Sequence, residues 1–267
     1  MPQSYILAFF AALAIALAAY KLKTLNGSGF IAATVVGFVI FGLGGWSWAI
    51  ALMIFFISSS ILTKAFKRRK AGLNEKFSKG GQRDAGQVLG NGGLATLFAL
   101  LHGFFPQSPF YWFAFITSLA AVNADTWATE IGVLNPKPPR LITSPLIVVE
   151  KGTSGGISLF GSAGSYAGAA AIALVGVLLS PYQIENPLNV FLILSFAGLS
   201  GSLFDSVLGA TVQAIYHCPQ CDKETERHPE HTCGGQTKII RGWPWLNNDL
   251  VNLGCSIFPT VFVLFIR

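Results

Sequence analysis

Eight apolar stretches of membrane-spanning length run through this chain, near 4–20, 28–45, 46–63, 89–105, 110–134, 158–180, 188–213 and 247–266. A helix needs about 20 residues to cross a hydrocarbon core about 30 Å thick, so each stretch is read as a transmembrane helix. Polar residues gather between them. Gly42–Gly45 and Pro106–Pro109 make short uncharged joints on one face, where the 181–187 loop adds Glu185. The opposite face holds Lys21 and Lys23, then eight cations from Lys64 to Arg83. It also holds Lys137, Arg140 and Lys151, and four more cations from Lys223 to Arg241. Together these are seventeen of the 18 Lys and Arg, leaving only Arg267 across from them. The positive-inside bias makes the basic face cytoplasmic and puts both termini outside.

Composition agrees with the pattern. The 267 residues are 52% hydrophobic and 11% charged, with a mean hydropathy of +0.56; a soluble domain carries about 25% charged residues. The expected fold is all-α: one polytopic membrane helix bundle over 1–267, with a small cytoplasmic insertion at 214–246. The first apolar run has no basic stretch before it, so it reads as a retained helix and not a cleaved signal. The net charge of +6 lies beside the spans. It therefore points to the lipid bilayer and to phosphate substrates, and not to nucleic acid. Nothing in the pattern speaks to oligomeric state.

Charges in hydrocarbon are costly unless they face a polar cavity, so acids inside spans mark a working site. Asp125 lies fifteen residues into its span and Asp205 sixteen into its own. At about 1.5 Å per residue, both reach roughly 22 Å across the core, near the cytoplasmic surface. Asp249 opens the last span from that same face. Three acids at one level suit Mg²⁺, which takes one or two carboxylates plus substrate phosphates. Neighbours four residues apart share a helix face, which adds Thr129 beside Asp125, Gln213 beside Gly209 and Asp205, and the pair Asn248 and Asn252 beside Asp249. Glu130 lies on another face and reads as a solvated end residue. The plainer alternative for the three acids is pairing with Lys or Arg inside the bundle.

Glycines open three spans on the basic face: Asn26-Gly-Ser-Gly29, Asn91-Gly92-Gly93 and Thr153-Ser154-Gly155-Gly156. Free N–H groups at a helix start bind anions, and glycine lets phosphate approach. The first set reads as close helix packing; the other two, beside Arg83 and Lys151, read as phosphate cradles. Arg241 either caps the site or anchors the basic face. Trp46, Trp48, Trp112, Trp243 and Trp245 fall near predicted interfaces. In the 214–246 loop, Cys218-Pro-Gln-Cys221 precedes His228, His231 and Cys233. This spacing suits a closed, structural Zn²⁺ site of Cys218, Cys221, Cys233 and His231, with His228 as the alternative fourth ligand.

Five motifs in order carry a resemblance: Gly80-Gly-Gln-Arg-Asp-Ala-Gly86, Asn123-Ala-Asp-Thr-Trp-Ala-Thr-Glu-Ile-Gly132, Lys151-Gly-Thr-Ser-Gly-Gly156, Gly201-Ser-Leu-Phe-Asp-Ser206 and Trp245-Leu-Asn-Asn-Asp-Leu-Val-Asn252. Over nearly the whole chain they resemble the family of transmembrane protein 19 and the phytyl-phosphate kinases. More distantly they are similar to CTP-dependent dolichol and diacylglycerol kinases and to phosphatidate cytidylyltransferases, which carry an acid where Ser202 stands. The resemblance implies a kinase that moves a phosphoryl group from CTP, or another nucleoside triphosphate, to an isoprenyl monophosphate. Asp125, Asp205 and Asp249 would then hold Mg²⁺. Lys151 and Arg83 would hold phosphates together with Asn91, Gly92, Gly93, Thr153, Ser154, Gly155 and Gly156. Thr129, Ser206, Arg241, Asn248 and Asn252 would line the substrates. The alternatives are a lipid-alcohol kinase, a cytidylyltransferase or, in a different class, a membrane transporter.

Overall fold

The computed structural model describes residues 4–70, 76, 79 and 81–266. Gly80 of the first motif and Arg267, the lone cation of the opposite face, lie outside the described residues. Eight helices stand where the apolar stretches predict them: α1 Tyr5–Lys21, α2 Gly27–Val39, α3 Trp46–Ala65, α4 Ala85–Phe104, α5 Pro109–Gly132, α6 Leu159–Leu178, α7 Pro187–Thr211 and α8 Asn248–Ile257. A π-helical turn at Ile40–Gly44 extends α2, and a 3₁₀ segment at Phe258–Phe265 continues α8. Among the described residues five segments are long and apolar enough to cross a membrane: Gly27–Gly44, Trp46–Ala65, Leu159–Leu178, Pro187–Thr211 and Asn248–Phe265. Helix α1 is shorter, at 17 residues. Helices α4 and α5 carry more polar residues, and α5 has a structural reason to. It packs against α3, α4, α6, α7 and α8, so its Thr117, Ser118 and Asn123 are buried in protein.

The fold departs from an all-α expectation in its loops. Between α5 and α6, strands β1 Arg140–Leu141, β2 Ser144–Val148 and β3 Gly156–Ile157 form an antiparallel sheet with β1 in the middle. Between α7 and α8, β4 Ile215–Cys218, β5 Lys223–Thr225 and β6 Lys238–Arg241 form a second sheet centred on β4. Strands this short carry no hydropathy signature, and ladder pairing satisfies backbone groups that a loop would leave open.

Helix α4 begins four residues before the predicted 89. Asp84 caps it, accepting from Gln87 N at 2.9 Å while the Gln87 side chain accepts from Asp84 N at 3.2 Å. That reciprocal capping box was legible as Asp-x-x-Gln but stands ahead of the apolar run. A further correction concerns the tryptophans. Trp48 and Trp112 are fully buried, packed with Phe115 and His102 at centroid distances of 4.5–5.8 Å, and only Trp46, Trp243 and Trp245 are exposed.

Contacts at the loop ends confirm two distinct faces. On the basic face Lys64 Nζ donates to Leu22 O at 3.2 Å, joining the ends of α1 and α3. Lys76 meets Glu150 at 2.6 Å, and its carbonyl accepts from Glu226 N at 2.8 Å. The α3–α4, α5–α6 and α7–α8 loops thus touch one another. On the other face Tyr182 Oη donates to Pro106 O at 2.8 Å, joining the α6–α7 and α4–α5 loops.

Candidate active site

Asp125 on α5 and Asp205 on α7 come together at the basic end of the tightest helix trio. The charges of Asp125 and Glu226 both bear on Asp205, and those of Lys70 and Glu226 bear on Asp125. Asp205 Oδ2 is buried with no hydrogen-bond partner. An orphaned carboxylate oxygen beside a second and a third carboxylate is the arrangement a divalent cation relieves. The acid pair could therefore accept a divalent cation. The third acid near the pair is Glu226, contributed by the α7–α8 module just after β5.

Asp249 is placed differently from the expectation. Its Oδ2 is engaged by Lys79, which also pairs with Asp84 at 2.9 Å, and its Oδ1 is buried without a partner. Burial opposes the Lys79 charge, but bonds to Asp249 and Asp84 outweigh it and hold the ammonium above its ordinary range. Burial also works against the Asp84 carboxylate. The bonds from Gln87 and Lys79 prevail and hold it below its ordinary range. This triad ties α4 to α8; among the described residues no interaction joins Asp249 to Asp125 or Asp205. Asn248 and Asn252 are half-buried along the same helix.

The predicted cations also divide. Lys151 donates to Val133 O at 3.2 Å and Asn135 O at 2.6 Å, covering carbonyls that the end of α5 leaves free. Arg83 donates to Ser60 Oγ at 3.1 Å and lies 5.5 Å from the Phe56 ring centroid. Burial lowers its pKa, while the charge of Glu130 works the other way. Glu130, expected to be a solvated end residue, is buried and accepts from Lys70 at 3.0 Å and Thr63 at 2.8 Å. Thr129 beside it is exposed.

The glycine motifs are not helix starts, with one exception. Asn26 caps α2, accepting from Gly29 N at 2.9 Å. Asn91, Gly92 and Gly93 sit inside α4, where the helix's own hydrogen bonds take their amides. Thr153–Gly156 precedes β3, and Ser158 caps α6 instead, accepting from Gly161 N at 3.1 Å. Gly155 has φ +84 and lies against Ala210 of α7, so a side chain there would be both strained and obstructed. This turn still belongs to the site. Ser154 Oγ donates to Gln213 Oε1 at 2.8 Å, and Gln213 Nε2 donates to Glu226 Oε1 at 2.8 Å. Thr153, Ser154, Glu226 and Arg241 line one cleft of only about 20 Å³. Arg241 donates to Gly209 O at 3.1 Å, and its Nε is buried without a partner. Ser206 Oγ donates back to Ser202 O at 3.3 Å.

In the α7–α8 module, ligand atoms of Cys218, Cys221, His231 and Cys233 all lie within 4.8 Å of one another, a cluster that could hold a metal ion. The Cys218–Cys233 Sγ separation is 3.6 Å, and His231 Nδ1 lies 3.5 Å from Cys221 Sγ and 3.4 Å from Cys233 Sγ. A tetrahedron with Zn–S of about 2.3 Å and Zn–N of about 2.0–2.1 Å has edges of roughly 3.5–3.8 Å, close to these three separations. His228 is turned elsewhere, stacked on Tyr216 at 4.5 Å and 3.4 Å from Thr237 Oγ1, and His231 is the histidine that joins the cluster. Shared hydrogen bonds between the thiols push Cys221 up to about 12 and Cys233 down to about 6.

Sequence reasoning missed Glu226, Lys70 and Lys79. All three lie in loops, where neither periodicity nor depth in a span marks a residue; only Glu226's place in the metal-ligand module was a signal. Comparison with known proteins bears on the whole chain. The integral membrane protein family DUF92 matches residues 10–260. Protein PGR of Arabidopsis thaliana is 34% identical over 93% of this chain and 91% of its own length. The membrane protein MJ0933 of Methanocaldococcus jannaschii is 34% identical over 73% of this chain and 78% of its own. Protein VTE6, chloroplastic, also of Arabidopsis thaliana, is 26% identical over 86% of this chain and 61% of its own. No solved structure matches. The chain belongs to the DUF92 family of integral membrane proteins, and the family resemblance that its five motifs carry, to transmembrane protein 19 and the phytyl-phosphate kinases, holds.

Proposed function

We propose that this membrane protein is a phosphotransferase that moves the terminal phosphoryl group of CTP, or another nucleoside triphosphate, to an isoprenyl monophosphate. The observation that carries the reading is the meeting of Asp125, Asp205 and Glu226, one carboxyl oxygen orphaned, beneath a face crowded with cations. Similarity to the chloroplastic protein VTE6 supports a prenyl-phosphate enzyme. In this reading the basic face is cytoplasmic, the metal at Asp125 and Asp205 is Mg²⁺, and the metal of the cysteine cluster is structural Zn²⁺.

The chemistry asks for alignment and charge neutralisation more than covalent work. An oxygen of the acceptor monophosphate attacks the terminal phosphorus, the bond to the bridging oxygen breaks, and the nucleoside diphosphate departs with that electron pair. The acceptor is already anionic, so no base has to remove a proton. A divalent cation at Asp125 and Asp205 would neutralise phosphate charge. Lys70 and Arg83 add positive charge from the α3–α4 side, and Arg241 adds it from the module. Glu226 and Gln213 couple the module to Ser154 and hold the Thr153–Gly156 turn against α7. Lys151 secures the end of α5 that carries Asp125. At about 20 Å³ the present cleft has room for little more than a water. Nucleotide entry therefore requires the turn and the module to part.

Purified protein incubated with labelled CTP, Mg²⁺ and paired prenyl alcohols and monophosphates tests the proposal. The expected products are the prenyl diphosphate and CDP. A CDP-linked lipid with pyrophosphate, or solute flux in proteoliposomes with no nucleotide consumed, would refute it.

A further inference from the structure

Helix α3 packs on α5 and α6, meets the π-helical turn and stacks Trp48 on His102 of α4, but along Ala49–Ile57 a gap separates it from α1, α2 and α4. The gap between them is a cavity of about 280 Å³, lined almost wholly by apolar side chains. It follows α3 from Trp46 to Ile57, which at about 1.5 Å per residue is roughly 16 Å, half of a hydrocarbon core. Ile15 on α1 is 40% exposed, and Ile50 and Ile57 on α3 are 40% and 47% exposed, so the slot opens sideways onto the lipid-facing surface. Its basic-face end is different in kind. There the lining becomes polar: Arg83, then Gln87 and Asn91 one and two turns into α4.

We infer that this slot is the acceptor site, holding the prenyl tail of an isoprenyl monophosphate between α1, α3 and α4 with its phosphate on Arg83. The inference rests on the kinase reading and gives its acceptor a place. Charge complementarity selects the occupant. Among the described residues Arg83 makes no ion pair, and its only polar side-chain contact is Ser60. A half-buried guanidinium without a carboxylate is costly, and a phosphate head relieves that cost with bidentate bonds. A bare acyl tail would fill the slot and leave the cation unserved. The head would also lie toward the reacting groups. Arg83 feels the charge of Glu130, Glu130 is bonded to Lys70, and Lys70 acts on Asp125.

The test is direct binding by native mass spectrometry of detergent-purified full chain without nucleotide, using geranylgeranyl monophosphate, geranylgeraniol, inorganic phosphate and dioleoyl phosphatidate. Ala49→Trp and Ala33→Leu, at two lining positions, each fill the slot and should weaken the prenyl monophosphate at least about tenfold, roughly 1.4 kcal/mol. Arg83→Gln should weaken it roughly 10- to 100-fold while leaving the alcohol unchanged, as expected for a lost bond to a charged group. Unaltered affinity in both filled variants, with melting temperatures showing that they fold, overturns the inference. So does phosphatidate binding as tightly as the prenyl monophosphate. If binding behaves as expected but no phosphoryl transfer occurs, the kinase reading falls alone. If turnover occurs and the filled variants keep the parent KM for the acceptor, only the slot assignment falls.

Discussion

Where α5, α6 and α7 meet, backbones nearly touch. A Cβ on Gly176 would sit 2.5 Å from Ile116, and one on Gly198 would sit 2.8 Å from Ala169. Along α3 the residues from Ala49 to Ile57 border the cavity that separates it from α1, α2 and α4. Both regions use apolar residues of similar hydropathy, yet one yields a rigid platform and the other a slot. Small residues let helices approach and hold polar groups in register where lipid supplies no hydrophobic drive. Here that register brings Asp125 and Asp205 together. The gap beside α3, of about 280 Å³, leaves room for a chain. The buried acid pair sits on the tightly packed side and the apolar slot on the other.

The sharpest way to break this comparison is to disarm the platform without loosening it. Asp125→Asn and Asp205→Asn keep shape and volume, and each should cut turnover by roughly 10³-fold or more with melting unchanged. Wild-type rates in either variant would remove the carboxylates from the mechanism. Next comes the module that supplies the third acid. Stripping its metal with a chelator, or changing Glu226→Gln, should lower turnover roughly 10- to 100-fold. Zinc should restore the chelated protein and leave the Gln variant impaired; equal recovery in both would show that Glu226 has no part.

Packing variants sharpen the contrast between the regions. Gly176→Val overpacks the α5–α6 contact and should cost about 1–3 kcal/mol in unfolding measurements. Ala33→Val at the cavity should stay within about 0.5 kcal/mol. Comparable losses at the two sites would mean that the slot is as tightly packed as the platform.

The smallest expected effect is the pH response of the Asp84–Lys79–Asp249 triad. The raised Lys79 pKa stabilises fully below its ordinary 10.5 and loses its effect only as pH rises through the higher folded value. The lowered Asp84 pKa stabilises above its ordinary 3.8 and fades as pH falls through the folded value. Melting temperatures of the parent and Lys79→Met should therefore differ by a constant amount from about pH 5 to 9, and converge below about pH 4. A difference that swings near neutrality would assign the triad's role to another group.

Much of this was legible from residue order because hydropathy acts locally. The helices, the two faces and the clustering of Cys218, Cys221, His231 and Cys233 each follow from spacing along one segment. The Gly-rich turns misled for a related reason. Asn91–Gly93 and Thr153–Gly156 look like helix starts until capping by Asp84 and Ser158 moves the true starts elsewhere. Chain order alone determined that this is a bundle of apolar helices with acids at one depth and cations on one side, because burial of apolar surface and the cost of charge in hydrocarbon depend on composition and period. Only the tertiary structure decided that Lys79 holds Asp249, that Lys151 seals a helix end, that Glu226 joins the acid pair and that a slot ends at Arg83. Those outcomes depend on which distant segments meet, and no property of either segment specifies its partner.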